Sequence, residues 1–133
     1  MLRVLPLLLA LVAAPASAAI VTAQQLAPPA NAPAPPYEQQ LLRLSEILGS
    51  VHYLRHLCNS GEGDIWRDEM TKLIETEEPD EARRARLVDR FNRGYESFRS
   101  VYLACTPAAA EASQRYLEEG AKLAAEITAR YGR

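Results

Sequence analysis

The sequence lacks the local signatures by which common enzyme classes are recognised. It contains no Gly-rich phosphate loop, no Ser/His/Asp or Cys/His grouping, and no carboxylate pair that its neighbours set apart from the others. Fifteen basic and 17 acidic residues give a net charge of −2, which favours neither nucleic acid nor an anionic membrane surface as the main partner. We therefore expect a non-enzymatic protein that uses no cofactor.

Long apolar runs are also missing. The hydrophobic stretch at positions 4–12 is interrupted by a proline, and it is about half of the roughly 20 residues that a membrane-spanning helix needs. With Arg3 before it and small residues after it, this stretch has the three parts of a secretory signal. We predict a signal peptide at residues 1–18, cleaved after Ala18 or Ala19. No cysteine lies at the cut, so we expect no stable membrane anchor after cleavage.

Residues 19–36 are rich in alanine and proline. Five prolines and no charged residue fall between positions 27 and 36, a composition that cannot hold a helix and prefers extended polyproline geometry. We interpret this segment as a linker, with a proline-rich ligand for a partner as the alternative. The folded domain is then expected at residues 37–133, a length that suffices for one core.

Four helical patterns follow the linker, and no hairpin dipeptide or alternating run competes with them. Apolar residues recur at three- and four-residue spacing within each pattern, and capping residues, prolines and glycines separate the patterns. We predict an all-α, four-helix bundle-like domain. The predicted helices run from Tyr37 to Cys58, from a cap at Asp64 to just before Pro79, from about Pro79 to Cys105, and from a Thr106 cap to Tyr131.

Helix one carries a main apolar stripe and a second, weaker stripe opposite it; the main stripe consists of Leu41, Leu44, Ile47, Leu48, Val51, Leu54 and Cys58. Leu42, Gly49, Tyr53 and His56 form the second stripe. Either helix one is central and packed on both sides, or the stripe is offered to another protein. We favour burial, because a bundle of four unequal helices often places one helix in the middle, but we keep Tyr53 as a candidate partner-binding residue.

The chain contains two cysteines, Cys58 and Cys105. An even count in an exported protein indicates a disulfide, whereas the cysteines of redox centres are usually close in sequence. Each cysteine is predicted to end its helix on the apolar side. Because helix two runs back between them, helices one and three are expected to be parallel. The bond would close a loop of roughly 48 residues, which stabilises by about 4 kcal/mol in the chain-entropy model.

His52 and His56 lie four positions apart and therefore share a helix face, where they could hold a metal ion. Zinc enzymes with this spacing have an intervening glutamate and a third ligand. Here Arg55 lies between the histidines and would repel a cation. We predict no metal site and keep metal binding as an alternative.

A narrow band of guanidinium groups is predicted along helix three. It consists of Arg83, Arg86, Arg90 and Arg93. Such a band could bind carboxylates or phosphates of an envelope polymer. Asp89, Glu96 and the glutamates of helix two lie at pairing distance, so mutual ion pairing on a solvated face is the simpler interpretation.

Several separated motifs occur in order along the helical region. They include Leu41-Leu42-Arg43-Leu44, His52-Tyr53-Leu54-Arg55, Trp66-Arg67, Phe91-Asn92-Arg93-Gly94-Tyr95 and Tyr116-Leu117-Glu118-Glu119-Gly120. In these motifs the chain resembles a family of small secreted alphaproteobacterial proteins of unknown function, over about residues 37–132. The resemblance implies a periplasmic setting in a Gram-negative cell. It implies no activity and no catalytic residues.

These features predict a periplasmic, non-enzymatic binding or interaction module of the cell envelope. Its partner would be an envelope protein or a cell-wall component, and its contact surface would be the second stripe of helix one or the arginine band. Metal binding by His52 and His56 and modulation of a cell-wall hydrolase are the alternative functions.

Overall fold

The computed structural model describes residues 33–132. The predicted signal peptide and most of the predicted linker lie outside the described residues. Within them the chain forms four helices and no strand, which confirms the all-α class. The helices are α1 Glu38–Leu57, α2 Ile65–Glu77, α3 Glu81–Arg99 and α4 Pro107–Tyr131. In the described part of the chain, no helix combines the length and the apolar character needed to cross a bilayer.

Capping side chains begin two of the four helices. Asp80 accepts a hydrogen bond from the backbone N–H of Arg83, and Thr106 accepts one from that of Ala109, so each satisfies a free donor of the first turn. Asp64 directly precedes α2, but its side chain makes no capping hydrogen bond. Asp64 therefore occupies the predicted N-cap position of helix two, but the prediction that its side chain caps the helix is wrong.

The third helix is shorter than predicted. It ends at Arg99, and the following residues form a connection in which the side chain of Val101 is 67% exposed. The apolar spacing continues through this segment, but Thr106 adopts an extended backbone to cap α4, so the helical conformation has to end before it. Cys105 therefore lies in the connection and does not end an apolar helix face, which corrects the prediction.

The central helix of the bundle is α1, which packs against all three other helices. It runs parallel to α3. Two ion pairs show this direction, since Glu38 pairs with Arg83 and, two turns further along both helices, Glu46 pairs with Arg90. This confirms the predicted direction of helices one and three. The favoured burial of the second stripe is also confirmed for Leu42, Gly49 and Tyr53, whereas His56 is exposed.

Two glycines allow the backbones of α1 and α3 to touch. A Cβ atom added at Gly49 would lie 1.9 Å from the carbonyl oxygen of Phe91, and one added at Gly94 would lie 2.0 Å from that of Glu46. Buried Ser50 adds a third small side chain and donates its hydroxyl to the same Glu46 carbonyl. The helices cross here because these positions carry little or no side chain.

The predicted disulfide is confirmed and joins the two loops at one end of the bundle. Cys58 and Cys105 are bonded, with their Cα atoms 4.9 Å apart. Beside the bond, the hydroxyl of Tyr53 donates to the carbonyl oxygen of Tyr102. The connection between α3 and α4 is thus fixed to α1 both covalently and by a hydrogen bond.

Candidate apolar binding groove

An open groove lies between α2 and α4, with α1 as its floor. Its volume is about 690 Å³, which is within the range of small-molecule sites. No Cα atom of α2 lies within 8 Å of a Cα atom of α4. The groove therefore exists because both helices pack against α1 without packing against each other.

The floor of the groove is entirely aliphatic. It consists of Leu41, Leu44, Ile47, Leu48 and Val51. These residues belong to the main apolar stripe predicted for helix one, which therefore lines a groove as well as a core. The side chains of Ile47 and Val51 are each 1% exposed, whereas Leu44 is half-buried. Most of the floor is therefore covered by neighbouring side chains.

Small residues form much of the wall on α4. Gly120, Ala121 and Ala124 line it, and a Cβ atom added at Gly120 would lie 3.0 Å from a methyl carbon of Ile47. Gly120 thus packs closely on the floor, while the two alanines leave the space beside them unfilled. Apart from the hydroxyl groups of Tyr116 and Thr128, this wall provides room without hydrogen-bonding side chains.

The wall on α2 carries the charged groups of the groove. Glu69, Lys72 and Glu77 line it together with Trp66 and Leu73. The Nζ atom of Lys72 lies 2.8 Å from a carboxylate oxygen of Glu69, and this hydrogen bond raises the pKa of Lys72. The lining charges are therefore at the rim and paired, above an aliphatic floor.

A hydrogen-bonded ion pair orients Trp66 at one end of the groove. Glu62 accepts a hydrogen bond from the indole Nε1 of Trp66 at 2.6 Å and another from Nε of Arg55 at 2.9 Å. Mainly the bond from Arg55, and secondarily that from Trp66, lowers the pKa of Glu62 to about 2. The carboxylate stays ionised over the physiological range, so the indole keeps its acceptor.

A buried ion network lies at the opposite end, where α2 finishes. Arg83 is 9% exposed and donates to Glu38 at 2.7 Å and to Glu77 at 2.6 Å, while the hydroxyl of Tyr37 donates to Glu77 at 3.1 Å. Burial lowers the pKa of Arg83, but the bonds to the two glutamates outweigh it, so the pKa is raised. Arg83 is thus a structural ion-pair residue, which corrects its prediction as a partner-binding residue.

Tyr53, the other predicted contact residue on helix one, lies inside the bundle. Its side chain is 9% exposed, and its ring meets that of Tyr95 edge-on at a centroid distance of 5.2 Å. Its hydroxyl donates a hydrogen bond to the carbonyl oxygen of Tyr102. Tyr53 therefore stabilises the core and cannot form a contact surface, which corrects the prediction.

The rest of the predicted arginine band is divided between two environments. Arg90 is half-buried and lies 3.1 Å from a carboxylate oxygen of Glu46, a partner on α1 that the sequence did not reveal. Arg93 is exposed and lies 2.9 Å from Asp89, as the ion-pairing interpretation predicts. Arg86 is exposed and belongs to no ion pair within residues 33–132. The band is not a continuous binding surface.

The two histidines lie in different environments. His52 is 6% exposed, and its ring lies 6.0 Å from that of Phe91 and 5.8 Å from that of Tyr95. Its buried Nδ1 atom has no hydrogen-bond partner among the described residues, and burial lowers its pKa. His56 is exposed. In the described part of the chain no three potential ligands cluster, so the pair lacks the third protein ligand that zinc sites use.

Sequence reasoning missed the groove as a site. The available signal was the small-residue pattern of the fourth helix, where Gly120, Ala121 and Ala124 lie on one side. Such a pattern indicates a close helix neighbour as readily as an open wall. Only the separation of α2 from α4 distinguishes the two interpretations.

Comparison with known proteins gives a family but no relative of known activity. No curated protein and no solved structure matches the chain. A family model described as a protein of unknown function (DUF2385) matches residues 36–131, which is close to the region over which the sequence motifs resemble an uncharacterised family. The chain belongs to this family of proteins of unknown function, DUF2385.

Proposed function

We propose that this protein is a non-enzymatic binding module of the cell envelope and that it holds an apolar ligand in the groove between α2 and α4. The observation that supports this is a space of about 690 Å³ over an aliphatic floor. Protein interiors are normally close-packed, so a small bundle that leaves this much apolar space open has a surface suited to a ligand.

The chemistry of the groove favours binding over catalysis. Its ionisable lining groups are Glu69, Lys72 and Glu77. Lys72 pairs with Glu69, and Glu77 pairs with Arg83. General acid–base catalysis needs a titratable group directed at the substrate, and here the charged groups are directed at each other.

We also propose that the protein acts in the periplasm. Two features support this location: the signal peptide predicted from the N-terminal sequence, and the bond between Cys58 and Cys105, since disulfides persist in oxidising compartments. A ligand from the envelope would then be within reach.

The proposal is tested with a hydrophobic dye, anilinonaphthalene sulfonate, and the purified protein with its disulfide intact. We expect saturable binding at one site. Ala124→Phe places a ring in the groove and should weaken dye binding at least tenfold. Ala125→Phe is the matched control, because Ala125 is its exposed neighbour outside the groove, and it should bind like the wild type.

Circular dichroism separates loss of binding from loss of folding. Both variants should keep the helical spectrum and the cooperative urea transition of the wild type. Dye binding that does not saturate, or that is equal in the two variants, would show that the groove is not the site and would overturn the proposal.

A further inference from the structure

We infer that α2 is a hinged lid, which detaches from α1 while α1, α3 and α4 keep their arrangement, and that this movement opens the groove down to its floor. The inference rests on the proposed function, since it describes how a ligand enters the same groove, but the movement itself can be measured without a ligand. Three features carry it: the thin packing of α2, the hinge residues at its ends, and the anchors beyond those hinges.

The packing of α2 is thin. Met70 and Ile74 are the buried residues among its 13, and of the three helices around α1 it has the fewest buried residues. Within residues 33–132, no Cα atom of α4 lies within 8 Å of one in α2, and α3 approaches α2 at few positions. Elements with few buried apolar contacts open at a lower free energy than the rest of a fold. We therefore expect α2 to detach first.

Both ends of α2 have a backbone that can act as a hinge. Before the helix, Gly61 and Gly63 have φ angles of 73° and 57°. Among residues 33–132, a Cβ atom added at either glycine would meet no atom within 4 Å beyond its chain neighbours. Glycine changes its backbone angles at little steric cost, and here no packed neighbour holds it. After the helix, Glu78 adopts a left-handed conformation with a φ of 45°. These few residues can absorb a movement of α2.

The chain beyond both hinges is fixed independently of α2. Cys58, before the first hinge, is bonded to Cys105. Arg83, after the second hinge, donates to Glu38 of α1 at 2.7 Å, and Gly94 lies in the close crossing of α1 and α3. These contacts hold α1 and α3 together without any residue of α2. Detachment of α2 therefore leaves the other helices in place.

One ion pair holds the C-terminal end of α2 closed. Glu77, the last residue of α2, accepts hydrogen bonds from Arg83 at 2.6 Å and from the hydroxyl of Tyr37 at 3.1 Å. When α2 detaches, Arg83 keeps its bond to Glu38 and Glu77 moves into water. A buried charge that loses all its partners is strongly destabilising, and the shared arginine avoids this. The pair between Glu77 and Arg83 is therefore a contact that can open.

Detachment of α2 uncovers part of the groove floor. Leu41 and Leu48 line the groove and belong to one apolar cluster with Met70 and Ile74 of α2. They are 4% and 9% exposed, so a ligand cannot reach them while α2 is docked. The binding-competent state is then the open one, and the rate of ligand binding should follow the fraction of molecules in which α2 is detached.

The movement is tested by oxidation of Met70 with hydrogen peroxide, followed by mass spectrometry of the purified protein with its disulfide intact. Because Met70 is 6% exposed, we expect its thioether to react mainly when α2 detaches. Amide hydrogen exchange of α1 and α3 measures global unfolding in the same sample. Met70 should oxidise at least tenfold faster than global unfolding allows. Oxidation no faster than global unfolding would overturn the inference.

A pair of variants tests the ion pair. Glu77→Ala removes a hydrogen bond between charged groups, which changes an equilibrium by about tenfold to hundredfold, so Met70 should oxidise at least tenfold faster while α1 and α3 keep their protection. Glu75→Ala is the matched control, because Glu75 is exposed on the same helix and belongs to no ion pair in the described part of the chain. Its oxidation rate should stay within twofold of the wild type. Equal rates in the two variants, or a joint loss of protection in all helices, would contradict the lid.

Stopped-flow binding of anilinonaphthalene sulfonate connects the movement to the groove. Glu77→Ala should raise the association rate by the same factor as the oxidation rate of Met70, and Glu75→Ala should leave it unchanged. If the dye binds at one site but equally fast in both variants, the lid is wrong and the proposed function stands. If the dye does not bind, the proposed function fails, and the entry route fails with it.

Discussion

A single methyl group added at Gly94 tests the close crossing of α1 and α3. In Gly94→Ala the new Cβ atom would lie 2.0 Å from the carbonyl oxygen of Glu46 and 2.9 Å from the hydroxyl of Ser50. Overpacking costs about 1–3 kcal/mol, and the upper end applies because the nearest atom belongs to the backbone. Alanine favours a helix over glycine by about 1 kcal/mol. The net loss in the free energy of unfolding is then about 2 kcal/mol.

The assay is thermal and urea denaturation followed by circular dichroism. For a domain of about 100 residues, a loss of 2 kcal/mol lowers Tm by about 8–16 °C. Gly120→Ala is the matched control, since its Cβ atom would meet only a side-chain methyl of Ile47 at 3.0 Å, and its unfolding free energy should stay within about 1 kcal/mol of the wild type. A Gly94→Ala protein as stable as the wild type would refute the close crossing.

Three further predictions concern the disulfide, the buried ion network and the buried histidine. Reducing the disulfide should lower the free energy of unfolding by about 4 kcal/mol, measured by urea denaturation with and without reductant. Arg83→Met leaves Glu38 and Glu77 buried without a cation and should cost about 3–5 kcal/mol in the same assay. Burial lowers the pKa of His52, so the unfolded chain binds this proton more readily. Stability should therefore fall as the pH drops below about 6.5, and His52→Phe should flatten this loss between pH 7.5 and 5.

Each of these predictions has its own control. Free thiols in natively isolated protein would contradict the first. Arg93→Met removes an exposed pair with Asp89 and should cost less than about 1 kcal/mol, so an equal loss in both arginine variants would contradict the second. An unchanged pH dependence in His52→Phe would contradict the third. The pKa values of Glu62 and Glu119 are lowered in the folded protein. These carboxylates therefore lose their stabilising effect mainly below pH 5, outside the range in which the histidine is tested.

Local signals in the sequence predicted most of the secondary structure. Thr106 was recognisable as a boundary because an N-cap acts on backbone groups within its own turn. The end of α3 was not recognisable, since the apolar spacing continues through Val101 and Tyr102. Whether such residues extend a helix depends on whether another element covers them, and spacing alone does not contain that information.

The candidate site residues show the same limit. Tyr53 was kept as a contact residue because it lies on the second stripe of helix one, and Arg83 because it belongs to a band of guanidinium groups that could bind carboxylates or phosphates. The structure buries both, with Tyr95 against the tyrosine and Glu38 and Glu77 against the arginine. Their partners lie on other helices, far away in sequence, so no local pattern could identify them.

By itself, the sequence determined the helical class, the number of helices in the described part of the chain and the pairing of Cys58 with Cys105. Periodicity and caps depend on residues that are close in sequence, and two cysteines can form only one intramolecular disulfide. Tertiary structure decided between the two interpretations of helix one, and it alone decided that α2 and α4 stay apart above α1. The distance between two helices depends on how every side chain between them packs. The groove is a product of that packing, and it is therefore visible only in the folded chain.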